Sequence, residues 1–215
     1  MPQSRRYKKK KSAGKAILAW IIVLAILAAG VFVFVSVFYE DAKKKLDEMN
    51  YPRTYSTYVE KAAKDYDLDP ALIYAVIHTE SGFDPKAESG VGAKGVMQMM
   101  PSSFEWLQEQ RGCAGQYTED DLFDPEICID YGSYLLKYFY DYYGTERSAI
   151  AAYNAGFVVS DWLNDTNYSS DGKNLDSIPY PETENYVDKV ESAKEMYIKL
   201  YYLSLIHISE PTRPY

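Results

Sequence analysis

The sequence predicts a mainly α-helical protein, with one N-terminal membrane-spanning helix ahead of a helical domain. Three observations predict it. Residues 16–38, AILAWIIVLAILAAGVFVFVSVF, form an uncharged apolar run. The rest of the chain places apolar residues at helical spacing between recognisable caps. No stretch sustains the period-two alternation of a half-buried strand. A length of 215 residues allows one domain with a sizeable core plus an appendage. With 47% hydrophobic and 25% charged residues, the composition is that of an ordinary globular chain. No internal repeat is present.

Residues 1–15 form a basic tail, expected to be cytoplasmic. It carries Arg5, Arg6, Lys8, Lys9, Lys10, Lys11 and Lys15, and no acidic residue precedes Glu40. At about 1.5 Å per residue, a helix over 16–38 crosses a hydrocarbon core of about 30 Å. The basic cluster ahead of it predicts a single-pass anchor in the cell membrane with the following domain extracytoplasmic. A cleaved signal peptide is the competing reading. The apolar run is longer than the usual ~7–15-residue signal core and continues past the small residues Ala28, Ala29 and Gly30, which favours an uncleaved anchor.

Residues 39–50 (YEDAKKKLDEMN) read as a charged stalk continuing that helix. Tyr51-Pro52 marks the domain boundary, because the residue before proline resists helix. A short helix is expected over 57–66. The next begins at Pro70, with Asp69 as N-cap, and stops at Gly82. Leu72, Ile73, Val76 and Ile77 give it a buried character. Ser102 and Glu105 match a capping box that would open a helix ending at Gly112. A long helix is expected over 125–143, with Gly144 as its stop, and short pieces over 148–153 and 158–163. Residues 164–181 read as a loop and 183–202 as the last helix. The domain thus spans 51–203, and the tail 204–215 has no assignable role.

Seven basic residues in the first 38 leave 16 to set against all 31 acidic ones, a net of −15 for the remainder. So acidic a domain should not bind nucleic acid by neutralising phosphates. It would also be repelled at long range by anionic wall polymers, so binding them must use short-range stacking and hydrogen bonds. Tyrosine is abundant, at 22 residues. Its apolar body and polar tip suit docked sugars or partners, although most tyrosines would serve as helix packing.

Cys113 and Cys128 are the only cysteines. An extracytoplasmic site permits a disulfide between them, worth about 3 kcal/mol in the chain-entropy model; two unpaired thiols are the alternative. The intervening GQYTEDDLFDPE looks like a loop needing restraint, which favours the bridge. With His78 and His207 the only histidines and no ligand spacing, no metal site is expected.

Glu80 stands in the last turn of the helix that Gly82 ends. The negative end of the helix dipole disfavours its ionisation, and Ile77 and Phe83 would desolvate it. A carboxyl kept protonated near neutral pH is what a general acid needs. Taken alone, any such Glu reads as a solvated helix end. Gly90-Val91-Gly92-Ala93-Lys94-Gly95 matches the letters of a dinucleotide fingerprint, but a helix rather than a strand precedes it. It reads instead as a loop that passes close to a bound polymer. Two sequons, at Asn164 and Asn167, carry little weight. Gln98 and Asn154 have amides that suit sugar hydroxyls and N-acetyl groups, although such amides more often brace loops. His78 should face away from Glu80 and is read as structural.

Three segments in order resemble the soluble-lytic-transglycosylase-like (SLT) family: Glu80-Ser81-Gly82-Phe83 through Met97-Gln98-Met99-Met100-Pro101, then Ala152-Tyr153-Asn154-Ala155-Gly156, then Pro181-Glu182-Thr183-Glu184-Asn185-Tyr186-Val187. The resemblance covers about residues 51–202. Val96 and Met99 occupy variable apolar positions, and no residue with chemistry is missing. The resemblance implies a lysozyme-like α-helical fold, a peptidoglycan glycan strand as partner and no cofactor. It maps Ser89, Met97, Gln98, Tyr153, Asn154, Glu182 and Tyr186 to positions lining a saccharide cleft, with Tyr186 steering the Glu80 proton. Glu182 would equally suit the start of the last helix. The implied reaction is single-carboxylate cleavage between N-acetylmuramic acid and N-acetylglucosamine, ending in a 1,6-anhydro product. A two-carboxylate hydrolase would need a partner such as Asp84 or Glu88, which the sequence does not place. A muramidase and a non-catalytic wall-binding scaffold remain the alternatives.

Overall fold

The computed structural model describes residues 13–203, with side chains from residue 17 onward. The basic residues 5–11, the Lys15 side chain and the tail 204–215 lie outside the described residues. The chain divides into two compact units, Met1–Asn50 and Tyr51–Tyr215.

In the first unit, α1 (Ala13–Asn50) is one uninterrupted helix of 38 residues. The segment Ile17–Asn50 is long and apolar enough to cross a membrane, with a mean hydropathy of 3.0 in its most apolar window. In its apolar part, residues 17–38, the Ser36 hydroxyl donates to the Phe32 carbonyl at 2.8 Å. The hydroxyl is thereby satisfied inside the helix's own ladder. The charged residues 39–50 continue the same helix and carry a Lys44–Glu48 pair one turn apart.

The second unit contains α2 (Ser56–Tyr66), α3 (Pro70–Ser81), α4 (Pro101–Gln110), α5 (Pro125–Tyr143), α6 (Glu146–Ala155), α7 (Val159–Asn164) and α8 (Pro181–Tyr197). The last of these runs on as a wider turn over Ile198–Tyr202. Among the described residues there is no strand; isolated bridges join Glu88 to Lys94 and Lys94 to Met99. Helix α3 is the hub. Its N-cap Asp69 accepts from the Ala71 N–H at 2.9 Å, and Gly82 ends it at φ 59°. Every residue from Ala71 to Ile77 is buried. A helix apolar on all sides must be surrounded, and α2 and α8 pack against it. Helices α5 and α6 pair with each other, and α6 also meets α8. The entry to this unit is stitched to its last helix: Tyr197 donates to the Pro52 carbonyl and Tyr201 to that of Tyr51.

Two local expectations are corrected. The Ser102–Glu105 capping box does not form, because Pro101 takes the first helical position and Met100 becomes the N-cap. A capping box occurs instead at Thr118–Asp121, opening a tight turn over Glu119–Phe123 in a stretch read as loop. The expected Cys113–Cys128 disulfide is absent, and both are free thiols. Cys128 is buried, with the Met97 N–H donating to its Sγ at 3.4 Å, whereas Cys113 Sγ meets the Tyr131 hydroxyl at 3.3 Å. The segment between them is held without a covalent link: the Gln108 amide both donates to and accepts from the Tyr117 backbone.

The loop joining α3 to α4 passes very close to the start of α5. A Cβ at Gly95, where φ is 77°, would lie 2.0 Å from the Leu122 carbonyl oxygen and 2.8 Å from Cys128 Sγ. At Gly82 the backbone is also left-handed, but an added Cβ meets nothing within 4 Å. Gly82→Ala should therefore cost only the conformational penalty, about 1–2 kcal/mol. Gly95→Ala should cost well over twice that or prevent folding. Thermal melting of the two variants checks the order; equal losses would mean the 87–99 loop is not pinned against α5.

Candidate active site

The site is assembled where four segments meet: the end of α3, the loop 82–100, the end of α6 and the first turns of α8. Glu80 is partly exposed there. The Tyr186 hydroxyl donates to Glu80 Oε1 at 2.7 Å. Burial pushes the carboxyl up to about 7, with the Tyr186 hydrogen bond pulling the other way because it favours the ionised form. The expectation of a raised carboxyl holds, with burial as its dominant cause. Neither carboxylate considered as a partner pairs with it. Asp84 turns to the Lys86 N–H at 2.9 Å, and Glu88 is exposed on the loop.

Two tyrosines lie within reach of the Glu80 charge. Burial first, then that charge, raises the Tyr153 and Tyr186 phenols well above their ordinary value, so both stay protonated as donors. Tyr153 donates to the Met97 carbonyl at 2.9 Å. Ser81 donates to the Val96 carbonyl at 2.7 Å and accepts from the Phe83 N–H. Together these two hydroxyls hold the 96–97 backbone against α3 and α6. Ser81 was not singled out from sequence; its place between Glu80 and Gly82 was the available signal.

The loop carries unusual backbone. Phe83 at φ 71° and Gln98 at φ 46° both lie in the left-handed region. Such conformations cost about 1–3 kcal/mol each and persist where surroundings over-determine them. The Gln98 amide nitrogen donates to the carbonyls of Ala87 and Gly95, both at 3.0 Å. Ser89 Oγ accepts from the Ala93 N–H at 2.9 Å. Both side chains therefore brace the loop that faces the site.

The remaining residues sort by position. Asn154 is exposed, and its Oδ1 accepts from Thr183 Oγ1 at 2.8 Å, tying the end of α6 to the start of α8. Thr183 carries no local sequence signal for this role, since a Thr in a first turn reads as ordinary helix. Glu182 is exposed in the first turn of α8, where a negative charge suits the dipole. Met97 is corrected: its side chain is fully buried, packed against Gly132, so only its backbone takes part. His78 faces elsewhere. It stacks on Tyr51 at 4.8 Å and borders a separate cavity of about 410 Å³ shared with Asp188 and Lys189. Among the described residues, no group of three or more His, Cys, Asp and Glu is placed to hold a metal ion.

Comparison with known proteins bears on this geometry. Residues 57–175 match the family model described as Transglycosylase SLT domain. The chain is 32% identical over 146 residues to the soluble lytic murein transglycosylase of Escherichia coli (strain K12), covering 66% of this chain and 23% of the relative. It is 30% identical over 167 residues to membrane-bound lytic murein transglycosylase C of Actinobacillus succinogenes, covering 67% of this chain and 47% of that one. The crystal structure of the 70 kDa soluble lytic transglycosylase from Escherichia coli superposes with a TM-score of 0.65 at 27% identity, over 73% of this chain and 26% of that one. The helical domain thus has that structure's lysozyme-like fold. The chain spans only a quarter to a half of the length of these relatives.

A carboxyl with a raised folded pKa binds its proton more tightly in the native state. Stability is therefore lost as pH rises from the unfolded value of about 4.5 through the folded value of about 7. The shift corresponds to an order of 3 kcal/mol. Glu80→Gln should melt with the parent at pH 4 and at least about 3 °C above it at pH 8. A variant less stable than the parent at pH 8 would mean that ionised Glu80 makes stabilising contacts. Tyr186→Phe removes the bond that favours the carboxylate, so NMR titration should place Glu80 higher than in the parent; a lower value contradicts the assignment.

Proposed function

We propose, on the premise that the chain belongs to the Transglycosylase SLT family, that it is a membrane-anchored peptidoglycan lytic transglycosylase. The observation that carries this reading is the half-buried Glu80 carboxyl, raised to about 7 and met by a phenolic donor. Protonated Glu80 donates to the glycosidic oxygen between N-acetylmuramic acid and N-acetylglucosamine, and the bond to the muramic anomeric carbon breaks. The substrate's own N-acetyl group assists at that carbon. Glu80, now a carboxylate, takes the proton from the muramic C6 hydroxyl, whose oxygen closes on the anomeric carbon. The product is the 1,6-anhydro sugar, and Glu80 is returned protonated. Tyr186 eases the second half, because its hydrogen bond favours the transient carboxylate.

Ser89, Gln98, Asn154 and Glu182 are proposed to face the sugars, with Tyr153 behind them. The Gln98 amide nitrogen is committed to the loop, so its carbonyl oxygen is the group it offers to a hydroxyl. The helix Ile17–Asn50 supplies the anchor. The basic residues ahead of it orient the N-terminus to the cytoplasm and the domain to the wall.

Purified peptidoglycan digested with the detergent-solubilised chain should yield anhydro-ended muropeptides by mass spectrometry. Products one water heavier would identify a muramidase, and no release at all would leave a binding scaffold. Glu80→Gln should lower turnover by about 10²–10⁴-fold, the scale of a lost general acid. Because the protonated form starts the reaction, activity should fall as pH rises through about 7. Protease added to cells stripped of outer layers should digest the domain; protection would place it inside.

A further inference from the structure

Most of the chain's tyrosines pack the domain, and one group on α5 runs from the core edge out to solvent. On α5, Tyr134, Tyr138 and Tyr142 recur every four residues, so they form one stripe along the helix. The rings of Tyr138 and Tyr142 lie 6.3 Å apart and are inclined by only 16°. Trp106 of α4 meets Tyr138 edge-on at 5.0 Å, and Phe157 meets both Tyr138 and Tyr142 at 6.2 and 5.7 Å. Tyr142 is 58% exposed and Phe157 49%. A depression of about 320 Å³ runs beside the stripe, with Lys137 and Asp141 adding polar groups to the rings. Tyr142 and Phe157 place adjoining ring surface in solvent, and exposed apolar patches rimmed by polar groups are where interaction sites are found.

We propose that this aromatic shelf is a glycan-stacking subsite that extends the catalytic site along the polymer strand. The proposal rests on the lytic transglycosylase reading for the identity of the polymer. Three observations select a glycan as occupant. The two segments that wall the Glu80 site, 97–100 and 153–156, lead directly into α4 with Trp106 and into Phe157. Trp106 and Phe157 thus follow closely in sequence on the two segments that reach the site. Pyranose faces present C–H groups with partial positive charge, which match the negative face of an aromatic ring, and their hydroxyls suit the flanking Lys137 and Asp141. Finally, the residues after 38 carry a net of −15. An anionic lipid surface or acidic polymer would be repelled by that charge, so attraction must be short-ranged and uncharged. A row of rings supplies it.

The test uses the full chain in detergent, carrying Glu80→Gln so that the polymer is not consumed, and measures co-sedimentation with purified insoluble peptidoglycan. Adding Tyr142→Ala and Phe157→Ala should weaken binding about tenfold. The conservative pair Tyr142→Phe with Phe157→Tyr keeps both rings and should bind as the Glu80→Gln chain does. Should the alanine pair fail to fold, Tyr142→Ala alone, at the more exposed ring, serves the same comparison. Undiminished binding by the alanine variants overturns the proposal. So does equal weakening by the conservative pair, since ring faces would then not matter. If the chain with Glu80 intact releases no product from any glycan yet the alanine pair still loses the polymer, the lytic reading fails and the stacking subsite stands.

Discussion

The site depends on the hydrogen bond from Tyr186 to Glu80, made between residues 106 positions apart in sequence. For that bond to exist, α3 must be packed into the core over Ala71–Ile77, so that its last turn holds a half-buried carboxyl at a fixed place. Helix α8 must also lie against it in one register. The packing of α8 on α3 meets both conditions at once. The carboxyl is thereby desolvated and supplied with a donor in the same step. Burial disfavours its charge more than Tyr186 favours it, and the balance near neutral pH is the chemical product of the fold.

The loop between α3 and α4 is held with unusual thoroughness for so irregular a segment. Ser81, Tyr153 and Cys128 each contact its backbone, and its own Ser89 and Gln98 turn inward to brace it. Glycine at 95 lets it press against the turn before α5. Left-handed residues at 83 and 98 are the strained points this network sustains. A rigid wall beside Glu80 is the consequence, with no disulfide needed to make it. Burial of Cys128 beneath this loop raises its thiol to about 12, and its Sγ accepts from Met97 while Cys113 meets Tyr131.

Under the proposed function, charge and aromatic surface divide the labour of substrate contact. The acidic domain gains nothing from long-range attraction to an anionic wall. Concentration near the substrate can come instead from the tether, and grip from rings and amides close to the scissile bond. A helix able to span a membrane and an exposed aromatic stripe are complementary answers to the same electrostatic handicap.

By itself the sequence determined the elements whose signals are local. The long apolar α1, the Asp69 cap and Gly82 stop around Glu80, the α5 span and the helical class all follow from spacing and capping, which act within one or two turns. The ordered motifs also identified the family. Tertiary structure alone decided what depends on contact between distant segments. Pro101 displaced the Ser102 cap, the cysteines turned to different neighbours, and the Met97 side chain went to the core while its carbonyl stayed at the site. Ser81 and Thr183 became struts only because α3, α6 and α8 converge on them. A side chain's hydrogen-bond partner across a hundred residues is set by packing, and no local pattern carries that information.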